Sequence, residues 1–207
     1  MYLRTEGIIL RRRNFGEADR LITLYTKDFG KLTAIAKGVR RPRSKKAGHL
    51  ELASHCKVFI AKGKNIDILT EVELKKAFGI DNLTEDKTNR IYHLLELIDV
   101  LTVENQKNVP IYNLLLEFLK HLQSEDNFQL ISSIFKIKLM SQLGFFSSRN
   151  LKETKTREVL AILEDKEYEV VKSRLQLSEG SYLKLLSFLD SMIENVTSSK
   201  IKTARFV

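Results

Sequence analysis

Gly30-Lys-Leu-Thr-Ala-Ile-Ala-Lys-Gly-Val-Arg-Arg-Pro-Arg-Ser-Lys-Lys46 is the stretch on which the reading of this chain turns. Residues 31–38 form a short apolar run with β-branched members behind a glycine-bearing turn, which is the pattern of a strand. Residues 37–46 then carry Lys37, Arg40, Arg41, Arg43, Lys45 and Lys46 without one acidic neighbour. Such a block repels itself and seeks an anionic partner. A solvated charged loop is the plain alternative, but this run lies between apolar segments and not at a terminus.

The strand pattern repeats on both sides. Residues 5–12, 20–27, 51–62 and 66–74 alternate in the same way, and Asp28-Phe29-Gly30 and Lys62-Gly-Lys-Asn65 have the composition of hairpin turns. Five short strands in about 75 residues are too few for two packed sheets. They predict a small closed barrel of the OB type, which leaves no open sheet edge and places the basic run between the third and fourth strands.

From about residue 81 the period becomes helical. Ile91, Leu94, Leu95, Ile98 and Leu101 form one stripe, with Asn82 or Thr84 as the N-cap. A second helix starts near Asn108-Val109-Pro110, where proline suits the first turn. A third spans roughly 127–143 and stops at Gly144. Ser147–Thr156 is predicted as a loop, two more helices near 157–172 and 179–195, and a frayed tail from Val196 containing Lys200, Lys202, Arg205 and Phe206. These stripes are bundle core in preference to a cofactor box. The predicted class is therefore α+β, mainly β and then all-α: a five-stranded OB-fold barrel over residues 1–79, followed by a helical bundle over residues 80–207.

Charge divides the chain at the same place. Residues 1–80 hold 18 Lys/Arg against 8 Asp/Glu, a net of +10, and the remainder nets −1. With 207 residues, 43% of them hydrophobic, there is enough chain for a buried core in one large or two small domains, and the charge step favours two. The single cysteine, Cys56, rules out an intrachain disulfide and a cysteine-rich zinc site. The N-terminal cluster Ile8-Ile9-Leu10 is too short for a signal-peptide core, and no run approaches the length of a membrane span. The expectation is a soluble cytoplasmic protein.

The chain carries no phosphate-binding glycine loop, no His-Glu-x-x-His, no Gly-x-Ser-x-Gly and no paired-cysteine motif. His49, His55, His93 and His121 are scattered. Adjacent positions in a strand point His55 and Cys56 to opposite faces, against a nucleophile–base pair. Asp67, Glu71 and Glu73 alternate along one strand, most simply as structural or solvated carboxylates. No enzymatic activity, cofactor or metal is expected. The basic segment has instead the physics of phosphate-backbone binding. Single-strand binders add aromatic faces for stacking, for which Phe15, Tyr25, Phe29 and Phe59 are candidates; Phe59 shares the strand face of Lys57.

Glu6-Gly-Ile-Ile-Leu-Arg-Arg-Arg13, Gly16-Glu-Ala-Asp-Arg-Leu-Ile-Thr-Leu24, Gly30-Lys-Leu32 and Ala36-Lys-Gly-Val-Arg-Arg-Pro-Arg-Ser44 resemble, in order and spacing, the N-terminal domain of the bacterial recombination mediator family RecO. Leu94-Leu-Glu-Leu97 and Leu139-Met-Ser-Gln-Leu-Gly-Phe145 are similar to elements of the family's helical C-terminal domain. The resemblance implies binding of single- and double-stranded DNA, annealing of complementary strands, and action with RecR and single-stranded-DNA-binding protein to load RecA, in a nucleoid-associated setting. Many members carry a four-cysteine zinc site after the Leu-Gly-Phe/Tyr element. Here Ser147-Ser-Arg-Asn-Leu-Lys-Glu-Thr-Lys-Thr156 follows and holds no cysteine, so no zinc is expected.

The expected phosphate contacts are Lys37, Arg40, Arg41, Arg43, Lys45 and Lys46. Arg11, Arg12, Arg13, Lys57, Lys62 and Lys64 are expected to support them, with Phe59 as a stacking platform. The alternative is an interaction scaffold whose OB barrel docks on structured RNA.

Overall fold

The computed structural model describes residues 1–44, 46–78 and 84–204. Strands β1 (Tyr2–Phe15), β2 (Asp19–Thr26), β3 (Gly30–Ala36), β4 (Ser54–Ala61) and β5 (Asp67–Ala77) close into a barrel in the order β1-β2-β3-β5-β4. This is the predicted OB-type arrangement. β1 is long enough to pair with β4 through residues 2–8 and with β2 through residues 7–15, and a register shift between Ile9 and Arg11 bends it. Ile9, Ile22, Leu24, Leu32, Ala34, Cys56, Val58 and Ile60 fill the interior.

The helices are α1 (Glu85–Leu101), α2 (Val109–Ser124), α3 (Phe128–Gln142), α4 (Thr154–Asp165), α5 (Tyr168–Arg174) and α6 (Glu179–Thr197). Thr84 caps α1, its hydroxyl accepting from the Lys87 N–H, and Asn108 caps α2 ahead of Pro110. The alternative cap Asn82, the expected boundary at residues 79 and 80, Lys45, Arg205 and Phe206 lie outside the described residues. A second core joins the helices to the outer face of the barrel, where Ile8, Leu10, Tyr25 and Ala53 pack with the stripe from Ile91 to Leu101.

Three expectations need correction. The fourth strand starts at Ser54 and not at residue 51, because Ala53 takes a left-handed conformation (φ 59°) that ends the preceding loop. The helix expected over 157–172 is two helices, broken where Lys166 turns extended. The tail from Val196 does not fray within the described residues. α6 continues to Thr197, Ile201 returns to the core, and the Glu96 carboxylate accepts from the backbone N–H groups of Lys202 (3.0 Å) and Thr203 (2.9 Å).

Candidate nucleic-acid interface

Two basic stretches that are separate in sequence meet at one end of the barrel. Pairing of Phe15 with Asp19 and of Arg20 with Ala36 sets the β1–β2 turn beside the start of the loop that follows β3. Three hydrogen bonds fasten them. The Gly38 N–H donates to Asp19 Oδ1 at 2.7 Å, the Arg40 N–H to the Ala18 carbonyl at 2.9 Å, and the Arg40 guanidinium to the Gly16 carbonyl at 3.2 Å. Gly38, with φ 66°, supplies the left-handed turn by which the chain leaves β3.

The far end of the loop is held as well. Lys46 Nζ donates to the Thr70 carbonyl of β5 at 3.3 Å, and the Cys56 thiol donates to the His49 carbonyl at 3.1 Å. Burial pushes that thiol up to about 12, so it remains a protonated packing group. His55, on the opposite face as its position implies, meets the helices.

Between these anchors Lys37, Arg40, Arg41 and Arg43 are exposed. Together with Arg13, Lys46 and Lys64 they make no ion pair among the described residues, in contrast to Arg11, Arg12, Lys57 and Lys62. Arg12 is paired with Glu51, which Arg20 also approaches at 3.9 Å. Lys62 is 2.8 Å from Asp67, Lys57 is 3.8 Å from Glu73, and Arg11 is 3.4 Å from Asp99. Arg12 and Lys46 therefore hold the loop in place, while the unpaired cations at its exposed surface keep their charge available.

Phe59 shares the outer face of β4 with Lys57. The Arg4 guanidinium lies 5.1 Å from its ring centroid, and the cross-strand neighbours include Glu6, Glu71 and Glu73. This face is of mixed charge, and one side of the ring already has a cation–π partner. Two of the three alternating carboxylates are engaged locally: Asp67 accepts from Lys62 and from the Gly63 N–H at 3.2 Å, and Glu73 faces Lys57.

Asp19 and Glu51, which shape the loop, were not singled out from the sequence. An aspartate in a glycine-bearing turn signals side-chain-to-backbone bonding, but its partner 19 residues away appears only in the fold. Among the described residues no group of three or more His, Cys, Asp or Glu side chains could hold a metal ion, and no helix is long and apolar enough to cross a membrane.

Residues 1–78 match the family model described as Recombination protein O N terminal, and residues 88–148 match Recombination protein O C terminal. The chain belongs to the RecO family. It is 38% identical over 144 residues to the DNA repair protein RecO of Symbiobacterium thermophilum, covering 68% of this chain and 56% of that protein. It is 36% identical over 148 residues to that of Alkaliphilus metalliredigens, covering 70% and 59%. For Desulfitobacterium hafniense the figures are 30% over 140 residues, 68% and 51%. The chain thus spans about half the length of the curated RecO relatives it matches. The basic loop falls inside the first matched region. The second ends at Ser148, within the cysteine-free segment Ser147–Thr156.

Proposed function

We propose that this RecO chain binds single- and double-stranded DNA and anneals complementary strands in recombinational repair, with no chemical step of its own. The observation that carries this reading is the clustering of Arg13, Lys37, Arg40, Arg41 and Arg43 at one end of an OB-type barrel, without carboxylate partners among the described residues. Phosphates of one strand neutralise these cations and lose their condensed counterions. With part of the charge of the first strand screened, a second strand approaches at lower electrostatic cost and pairs. Residues 1–79 form the DNA-binding unit in this reading, and residues 80–207 the unit that meets proteins.

RecR and single-stranded-DNA-binding protein are the partners proposed, with RecA loading as the outcome and the nucleoid as the setting. In support of a protein contact, α4 and α6 enclose an apolar groove of about 460 Å³ lined by Val159, Leu160, Leu185 and Phe188 and edged by Lys155 and Lys184. Such a groove suits a partner segment that combines apolar and acidic side chains.

The test is the annealing rate of two complementary oligonucleotides coated with single-stranded-DNA-binding protein, with and without the chain, at two salt concentrations. A salt-sensitive acceleration is expected. Absence of acceleration, together with tighter binding to RNA than to DNA of the same sequence, would replace this reading by the RNA scaffold.

A further inference from the structure

The segment between α1 and α2, residues 102–108, lies across the first half of β3. β3 pairs with β5 only through Ala34 and Ile35, which leaves the edge at Gly30–Thr33 without a β5 partner. The α1–α2 segment fills that place. Glu104 forms a parallel bridge with Lys31, and the Asn105 N–H donates to the Lys31 carbonyl at 2.9 Å. The Thr33 hydroxyl donates to Glu104 Oε1 at 2.6 Å. At the end of α1, the Asp99 carboxylate stands between Lys31 Nζ and Arg11, each 3.4 Å away.

The face covered here is the one an OB barrel offers to a nucleic-acid strand, its second and third strands with the loop between the fourth and fifth. A cleft of about 390 Å³ remains there, lined by Thr33, Lys62, Asn65, Asp67, Glu104 and Asn105. Carboxylates seated on two cations and a hydroxyl satisfy the groups that a phosphate would otherwise satisfy. The strap is also open to solvent along most of its length. Residues 103–107 are exposed, Val103 retains 62% of its surface, and Asn105 is held at φ 60°, a left-handed conformation whose strain is relieved on release.

We infer that the α1–α2 segment is an autoinhibitory strap whose Glu104 side chain occupies the β3 face in place of a nucleic-acid phosphate. A single strand first engages the exposed loop cations and then displaces the strap, gaining the Thr33 hydroxyl and the β3 edge at Lys31, next to the cations that Asp99 of α1 holds. This inference rests on the DNA-binding reading above and adds to it a second, gated part of the binding surface.

The experiment follows amide hydrogen exchange of residues 102–108 in the full chain, alone and saturated with a 30-residue oligothymidylate, alongside binding titrations of Glu104→Gln. The Asn105 amide is expected to lose protection in the complex. Glu104→Gln is expected to tighten oligothymidylate binding about threefold, the scale of one exposed charged contact. As a control, Glu158→Gln on α4 should change the affinity less than twofold. Binding with Asn105 protection retained, or Glu104→Gln and Glu158→Gln with equal effects, would overturn the strap while leaving the DNA-binding reading intact. No binding of the oligonucleotide at all would overturn both.

Discussion

Tyr112 Oη of α2 and His55 Nε2 of β4 share a buried hydrogen bond of 2.8 Å, joining the helices to the outer wall of the barrel. The same imidazole nitrogen lies 3.3 Å from Glu6 Oε2 of β1, and Glu6 in turn pairs with Lys75 of β5. A polar chain thus crosses the junction within an otherwise apolar contact of Ile8, Leu10 and Tyr25 with the helical stripe. Replacing Tyr112 by Phe removes the hydroxyl and leaves Glu6 as the group within reach of His55 Nε2. The expected loss is about 1–2 kcal/mol of stability, measured by urea unfolding. Oligonucleotide affinity should stay within twofold, because the pair faces away from the basic loop.

The unpaired loop cations are expected to act additively and without regard to sequence. Arg40→Ala, Arg41→Ala and Arg43→Ala combined should flatten the plot of log affinity against log salt by about 2 on a single strand, at roughly 0.7 per neutralised phosphate. Titrations on two oligonucleotides of different base composition check this. A loss confined to one composition would contradict a backbone-binding loop.

Acid should weaken the helical region before the carboxylates titrate. His93 is fully buried, its Nδ1 2.8 Å from the Thr203 hydroxyl, and burial with the nearby Lys136 cation holds its pKa well below the usual histidine value. The unfolded chain therefore binds a proton at His93 that the folded chain refuses. The stabilising difference is fully present above about pH 6.5 and is lost as pH falls below it, at up to about 1.4 kcal/mol per pH unit until the folded-state pKa is reached. His55, also lowered mainly by burial, adds to the same trend. Unfolding midpoints between pH 7 and pH 5 measure the slope, and His93→Gln should reduce it.

Gly30 is the least replaceable glycine of the barrel. It has φ 69°, and a Cβ there would fall 1.9 Å from the Gln106 carbonyl oxygen. Gly30→Ala should cost at least about 2 kcal/mol, from the left-handed conformation and the displaced backbone together. Thermal unfolding and exchange of the 102–108 amides would report both effects.

The order of elements was legible because their signals are local. Alternation of Ile22 with Leu24, of Leu32 with Ala34 and of Val58 with Ile60 marks strands whose inner faces fill the barrel. The i, i+3, i+4 spacing of Ile91, Leu94, Leu95 and Ile98 marks a helix buried on one side. Illegible features were those without a local marker. No glycine or proline announces the break at Lys166, and nothing near Ile201 shows that Glu96 will hold the following residues. The bulge in β1 belongs here as well, since strict alternation from Ile9 would turn Arg11 inward, whereas the shifted register takes it to Asp99.

The amino-acid sequence by itself determined how much positive charge the barrel half carries, its concentration in residues 37–46, and the change from period two to the helical period near residue 81. Only the tertiary structure decided which of those charges remain available. Arg11, Arg12, Lys57 and Lys62 are matched by Asp99, Glu51, Glu73 and Asp67, most of them distant in sequence, whereas Lys37, Arg40, Arg41 and Arg43 are left to solvent. The reason is that ionic attraction depends on separation through space, and the closing of the barrel sets those separations.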